Sequence, residues 1–248
     1  MSEQKKVTKT ITFKIKRFNP VVDDEPYWDE FTLECDEGTT VLLGIQEIIA
    51  KQDGSVAMRY NCRSGECGSC AVLVNNKYML ACETLVLKLK KKKIKIEPLP
   101  FFPVIKDLIV DMSQFYEKLH AIDPYLKRDH SKDPEAEILQ SPKDFHTIEE
   151  ATECILCGCC HSSCVSVWTD KNYLGPGALL KAFRFTNDTR DEDKRERIKR
   201  VTAEDGVFRC HTAFNCAEAC PKDLNPTEAI QVLKRQSAKQ TLKFWKRS

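Results

Sequence analysis

No stretch of about 18 consecutive apolar residues occurs in this 248-residue chain, which excludes a membrane-spanning helix. Met1 to Thr10 is polar and carries Glu3, so the apolar segment of a secretory signal is missing, and thiols are expected to stay reduced in a cytosol-like compartment. There is no excess of one charge: 39 Lys and Arg stand against 37 Asp and Glu, and the net charge of +2 argues against a nucleic-acid-binding protein. G-x-G-x-x-G does not appear either, so nothing points to a flavin or nicotinamide fold within the chain. What the chain has is cysteine, thirteen residues of it, and hydrophobic residues at 42%, enough for the cores of two domains.

Eleven of the thirteen cysteines fall in three runs. Cys62, Cys67, Cys70 and Cys82 form C-x4-C-x2-C-x11-C; Cys154, Cys157, Cys160 and Cys164 form C-x2-C-x2-C-x3-C; Cys210, Cys216 and Cys220 are followed by Pro221. Thiolates are soft donors suited to iron-sulfur clusters or zinc. The first run has the spacing of a plant-type [2Fe-2S] ferredoxin, with Gly65 and Gly68 between ligands where the backbone must curl toward sulfur. The second has the spacing of a two-cluster bacterial ferredoxin, in which the fourth cysteine serves the other cluster. The third fits the same pattern except that Ala213 stands where its second cysteine belongs.

Exchanging fourth ligands gives one site of Cys154, Cys157, Cys160 and Cys220 and another of Cys164, Cys210 and Cys216. A methyl group cannot ligate iron, so the expectation is [4Fe-4S] in the first and [3Fe-4S] in the second. Cys159 and Cys35 fall outside the pattern and read as packed thiols. Zinc is the rival reading, a structural module with no redox role, but zinc sites close with a second Cys pair, which the first run lacks.

Residues 10 to 35 alternate apolar and polar around a turn at Asn19-Pro20, Thr40 to Lys51 has helical spacing, and Ala71 to Val74 and Leu85 to Ile96 read as strands. The lysine-rich stretch Lys88 to Lys95 reads as the solvated face of an edge strand. This is a β-grasp order. Beyond it the pattern predicts helices over Val104 to Leu119, Ile148 to Cys154, Ala178 to Phe185, Arg190 to Val201 and Pro226 to Arg235. The fold expected is α+β: a plant-type [2Fe-2S] ferredoxin domain over 1–105, then an all-α, bacterial-ferredoxin-like domain with two clusters over 106–248.

The ligand pattern, with Cys154-Ile155-Leu156-Cys157-Gly158-Cys159-Cys160, Leu174-Gly175-Pro176, Phe183-Arg184-Phe185, Arg190-Asp191 and Cys220-Pro221-Lys222, resembles the iron-sulfur subunit of succinate dehydrogenase and fumarate reductase over nearly the whole chain. That resemblance implies a relay of single electrons between the FAD of a flavoprotein partner, where the dicarboxylate chemistry occurs, and quinone or menaquinone at a membrane anchor. It implies a peripheral place on the cytoplasmic face of the bacterial inner membrane. By position it puts Trp168, His211 and Lys234 near quinone. Quinone-reducing members carry proline after the ligand at position 164 and a Trp-Trp pair; here Val165 and Trp168-Thr169 stand instead. A soluble relative, such as a thiol-driven fumarate reductase, is the alternative that this departure keeps open. The basic and aromatic tail Leu233 to Ser248 suits a lipid interface or anchor, or a frayed end.

Overall fold

In the computed structural model, which describes residues 8–132 and 134–245, the alternating segments become two paired strands, β1 (Lys9–Arg17) and β2 (Tyr27–Cys35). Along β1, Ile11, Phe13 and Ile15 are buried while Thr12, Lys14 and Lys16 face the other side, the two-residue period of a sheet with one face covered. The cover is helix α1 (Val41–Lys51), started by Thr40, whose hydroxyl accepts from the Leu43 N–H. Gly44 lets α1 approach closely, since a Cβ there would lie 2.3 Å from the Phe13 ring. The hairpin β3 (Ala71–Val74) and β4 (Lys77–Leu80) turns at Asn75-Asn76, both with positive φ, as a two-residue hairpin loop requires. β5 (Lys93–Glu97) completes the sheet in the order β2-β1-β5-β3-β4.

β5 is therefore interior, not an edge strand, which corrects the expectation for Lys88 to Lys95. It pairs in parallel with β1, Phe13 opposite Ile94 and Ile15 opposite Ile96, and antiparallel with β3. Its isoleucines are buried, and its lysines find carboxylates on the open face: Lys93 reaches Glu30 at 2.8 Å and Lys95 reaches Glu97 at 3.0 Å. The first half of the expected strand is instead a short 3-10 turn, Val86–Leu89, ended by Lys90 in a left-handed conformation.

Val104 to Leu119 is not one helix either. Two short strands, β6 (Val104–Lys106) and β7 (Ile109–Val110), precede α2 (Ser113–His120). The cause is Asp107, which turns the chain at φ 48°, accepts the N–H groups of Phe18 and Ala57 at 3.0 and 2.9 Å and faces Arg17 at 3.1 Å. Arg17 is 4% exposed and also holds Asp29 and Asp53 at 2.9 and 2.6 Å.

The remaining helices are α3 (Pro142–Thr152), α4 (Cys159–Ser162), α5 (Val165–Thr169), α6 (Gly175–Asn187), α7 (Lys194–Val201), α8 (Asn215–Glu218) and α9 (Pro226–Trp245). α3 begins earlier than its apolar residues suggest because Ser141 caps it, accepting from the Asp144 N–H with Pro142 in the first turn. α9 continues past the expected end at Arg235 as far as Trp245. Residues 246–248 of the tail, and the side chains from Lys243 on, lie outside the described residues.

The chain forms two compact units, Met1–Met112 with Ile155–Cys159, and Ser113–Cys154 with Cys160–Ser248. In the second, α6 is the central element and serves two apolar groups. One joins Ile122, Val167, Tyr173, Leu174, Leu179, Val207, Ile230 and Leu233. The other joins Ala151, Leu180, Leu224 and Ala229. Arg197 of α7 is 3% exposed and gathers the ends of this unit: it donates to the carbonyls of Ile122, Asp123 and Tyr125 at 2.9, 2.5 and 2.5 Å and pairs with Asp191 at 2.9 Å.

Candidate iron-sulfur sites

Cys62, Cys67 and Cys70 lie on a loop between α1 and β3 with almost no regular structure, because its backbone turns inward, and Cys82 follows β4. Gly65 and Gly68 have φ of 74° and 70°, and Arg63 is left-handed as well. The result is a set of N–H groups aimed at sulfur. Ser64, Glu66 and Cys67 donate to Cys62 Sγ at 3.5, 3.3 and 3.3 Å, and Gly65 donates to Cys82 Sγ at 3.3 Å.

These contacts change the thiols. The Ser64 N–H, then the Cys67 side chain and the Glu66 N–H, draw the Cys62 thiol down to about 6, and a thiolate is the form that binds iron. Burial pushes Cys70 up to about 12, which an isolated thiol would keep until a metal displaces its proton. Loops that present several N–H groups to sulfur fit a cluster, whose potential those bonds help set.

Gly68 is tightly confined: a Cβ there would lie 2.8 Å from Cys157 Cα and 2.9 Å from the Ile155 carbonyl oxygen. Gly68→Ala is therefore expected to lose most of the visible absorption of the [2Fe-2S] cluster. It combines a backbone clash with a left-handed residue costing about 1–2 kcal/mol. Iron and acid-labile sulfide counts against wild type check this.

In the second unit four of the cysteines sort between the two apolar groups. Cys164 and Cys210 pack on the one that contains Tyr173; Cys154 and Cys220 pack on the one that contains Leu224. Cys164 is the N-cap of α5, Cys216 lies in α8 and Cys210 follows a 3-10 turn, Val207–Arg209. Burial, above all, raises the thiols of Cys164 and Cys216, and each also feels the charge of Cys210. Thr212 N–H donates to Cys210 Sγ at 3.4 Å, and the Thr227 hydroxyl contacts Cys216 Sγ at 3.1 Å. Ala213 lies between Thr212 and Phe214, both left-handed. Cys159 and Cys35 are both fully buried. Among the described residues no three His, Cys, Asp or Glu side chains are gathered for a single metal ion.

The residues expected near quinone are already engaged in part. Trp168 Nε1–H donates to the Ser162 carbonyl at 2.8 Å, and Lys234 donates to the Cys210 carbonyl at 2.8 Å, tying α9 to the third run. His211 is exposed. Thr169 spends its hydroxyl on the carbonyls of Val165 and Ser166.

Several residues beside the three-cysteine site carried no signal in the sequence. Tyr173 is completely buried, and Lys118 of α2 is 8% exposed with a fully enclosed amine; desolvation lowers its pKa against the charges of Asp170, Asp205 and Cys164. His161 packs edge-on to Phe115, its ring centroid 5.4 Å away, and burial followed by Lys118 brings it down to about 3. Each reads in sequence as an ordinary helix or loop residue.

Residues 12–117 match the family model of the 2Fe-2S iron-sulfur cluster binding domain, and residues 150–224 match that of the 4Fe-4S dicluster domain. A ferredoxin sheet joined to a helical dicluster unit defines an iron-sulfur electron-transfer protein. The succinate dehydrogenase iron-sulfur subunit of Coxiella burnetii is 40% identical over 234 residues, covering 93% of this chain and 98% of that one. The mitochondrial succinate dehydrogenase [ubiquinone] iron-sulfur subunit of Candida glabrata is 38% identical over 230 residues, 92% and 91% of the two chains. A chain of the Mycobacterium smegmatis Sdh1 complex in the apo form has a TM-score of 0.85 at 25% identity, covering 94% of this chain and 98% of that one. The chain belongs to the succinate dehydrogenase iron-sulfur subunit family, the electron-transfer component of succinate:quinone oxidoreductase. Among the described residues no helix is long and apolar enough to cross a membrane.

Proposed function

We propose that this subunit relays electrons one at a time between the FAD of a flavoprotein partner and quinone or menaquinone at a membrane anchor, with 1–105 as its [2Fe-2S] domain and 106–248 as its two-cluster domain. Cys62, Cys67, Cys70 and Cys82 hold [2Fe-2S]; Cys154, Cys157, Cys160 and Cys220 hold [4Fe-4S]; Cys164, Cys210 and Cys216 hold [3Fe-4S]. When bound, the clusters supply one-electron carriage, which splits the electron pair of dicarboxylate oxidation.

The observation that carries this reading is the sorting of the helical unit's cysteines. Cys220 of the third run packs on the apolar group of Cys154, whereas Cys164 of the second run packs on that of Cys210. This packing supports the exchange of fourth ligands that the spacing calls for. The protein's own part is to fix thiolates in dry surroundings, to supply N–H donors to sulfur, and to keep a methyl group at Ala213 where a fourth thiolate would stand. His211, Trp168 and Lys234 border the quinone side; Lys234 keeps donors beyond the one given to Cys210. Attachment to the cytoplasmic face of the bacterial inner membrane is through the anchor.

Electron paramagnetic resonance at stepped potentials on the purified complex tests the reading. Three signals are expected, one of them from a three-iron cluster in its oxidised state. Cys220→Ser is expected to remove or strongly broaden the [4Fe-4S] signal although its residue lies in the third run. A change confined to the [3Fe-4S] signal would reject the ligand exchange. Co-purification of a multi-spanning partner supports the anchor; full activity in a complex without one rejects it.

A further inference from the structure

One polar group beside the three-cysteine site makes no hydrogen bond of ordinary geometry. Tyr173 is 0% exposed, and the one side chain its hydroxyl approaches as a hydrogen-bond partner is that of Cys210. It belongs to the apolar group on which Cys164 and Cys210 pack. The side chains of Cys210, Cys164 and Cys216, all three proposed ligands, are near enough to act on this one hydroxyl, which is a donor as any phenol is.

A buried tyrosine ordinarily finds an acceptor for its O–H. Leaving one unpaired is costly, and phenylalanine would fill the same space without that penalty. The nearby donors are spent on the cysteines themselves: Thr212 N–H goes to Cys210 and the Thr227 hydroxyl meets Cys216. Tyr173 is a further donor, enclosed in the apolar group on which Cys164 and Cys210 pack.

We propose that Tyr173 donates its hydroxyl hydrogen to a sulfur of the cluster held by Cys164, Cys210 and Cys216 and thereby raises the reduction potential of that cluster. The assignment rests on the three-iron reading above. One-electron reduction adds a negative charge that is spread over the sulfurs, and a fixed O–H dipole pointing at them favours the reduced form more than the oxidised one. The proton stays on the tyrosine oxygen throughout, so no proton is transferred and electron count alone changes. A higher potential at this last position draws electrons toward it. Tyr173 is a positioning residue for charge, not a ligand.

The test uses the purified complex and Tyr173→Phe, which keeps the ring. Redox titration followed by electron paramagnetic resonance is expected to show the equilibrium for reducing the three-iron cluster falling about tenfold, a downward shift of about 59 mV for one electron. Spin per complex and the midpoints of the other two clusters stay as in wild type. A second variant carries 3-fluorotyrosine at position 173; its more acidic hydroxyl is a stronger donor and is expected to move the midpoint upward. An unchanged midpoint in both variants overturns the proposal. So does loss of the three-iron signal in Tyr173→Phe with the other signals intact, which would make the residue a packing element. Absence of any three-iron signal in the wild-type complex would instead reject the cluster assignment, independently of Tyr173.

Discussion

Ala213→Cys is expected to abolish the three-iron signal of the oxidised complex and to replace it with a second [4Fe-4S] signal seen only on reduction. The position supplies the fourth thiolate that C-x2-C-x2-C-x3-C requires, between Cys210 and Cys216. Its neighbours Thr212 and Phe214 both have left-handed backbone. A fourth iron and a fourth thiolate change the charge and type of the cluster, two of the levers on its potential. Each step of about 59 mV downward lowers its equilibrium electron occupancy tenfold, so succinate:quinone turnover is expected to fall by about tenfold or more while succinate oxidation with an artificial acceptor at the flavoprotein persists. Retention of the three-iron signal with full iron content would show that Ala213 does not face the cluster. Loss of the existing [4Fe-4S] signal would show that the ligands are partitioned differently.

The second large effect concerns folding. Arg197→Ala is expected to destabilise the helical unit by about 3–5 kcal/mol, because it leaves a buried carboxylate without its partner. Asp191 has no side-chain exposure, and three backbone carbonyls lose the guanidinium that now satisfies them. For a chain of this size each kcal/mol corresponds to about 2–4 °C in melting temperature, so the helical transition is expected to move down by about 10 °C. Lysine cannot span three carbonyls and a carboxylate with a single ammonium, and Arg197→Lys is expected to recover less than half of the loss. Differential scanning of the purified complex reads both variants. A shift under about 2 °C in Arg197→Ala would mean that water replaces the guanidinium without cost.

Cysteine spacing alone made the cluster chemistry legible, because ligation demands a fixed number of thiolates at short range and few other functions do. The alternation of Ile11, Phe13 and Ile15 with polar residues was legible for the same kind of reason: burial on one face leaves a two-residue period. The place of β5 was not. Lys93 and Lys95 alternate with Ile94 and Ile96 in the same way whether the strand has one neighbour or two, since backbone pairing leaves no mark on side-chain pattern. Asp107 hid the break between β6 and α2: its turn is enforced by amides at Phe18 and Ala57, far away in sequence. Around the three-cysteine site, Tyr173, Lys118 and His161 carry no motif, and their importance comes from what encloses them. The departures at Val165 and Thr169 were visible, and the structure gives them local roles: Val165 opens α5 behind Cys164, and Thr169 bonds back to that helix.

The parallel pairing of β1 with β5 joins Thr12 to Lys93, partners separated by most of the first domain. A ribosome releases the chain from its N-terminus, so Cys62, Cys67, Cys70 and Cys82 all emerge before the central strand of their own sheet exists. Ladder closure over so long a loop is slow compared with hairpins made of neighbouring segments. The four thiols are thus born into an unfinished scaffold, ahead of the strand that completes their sheet.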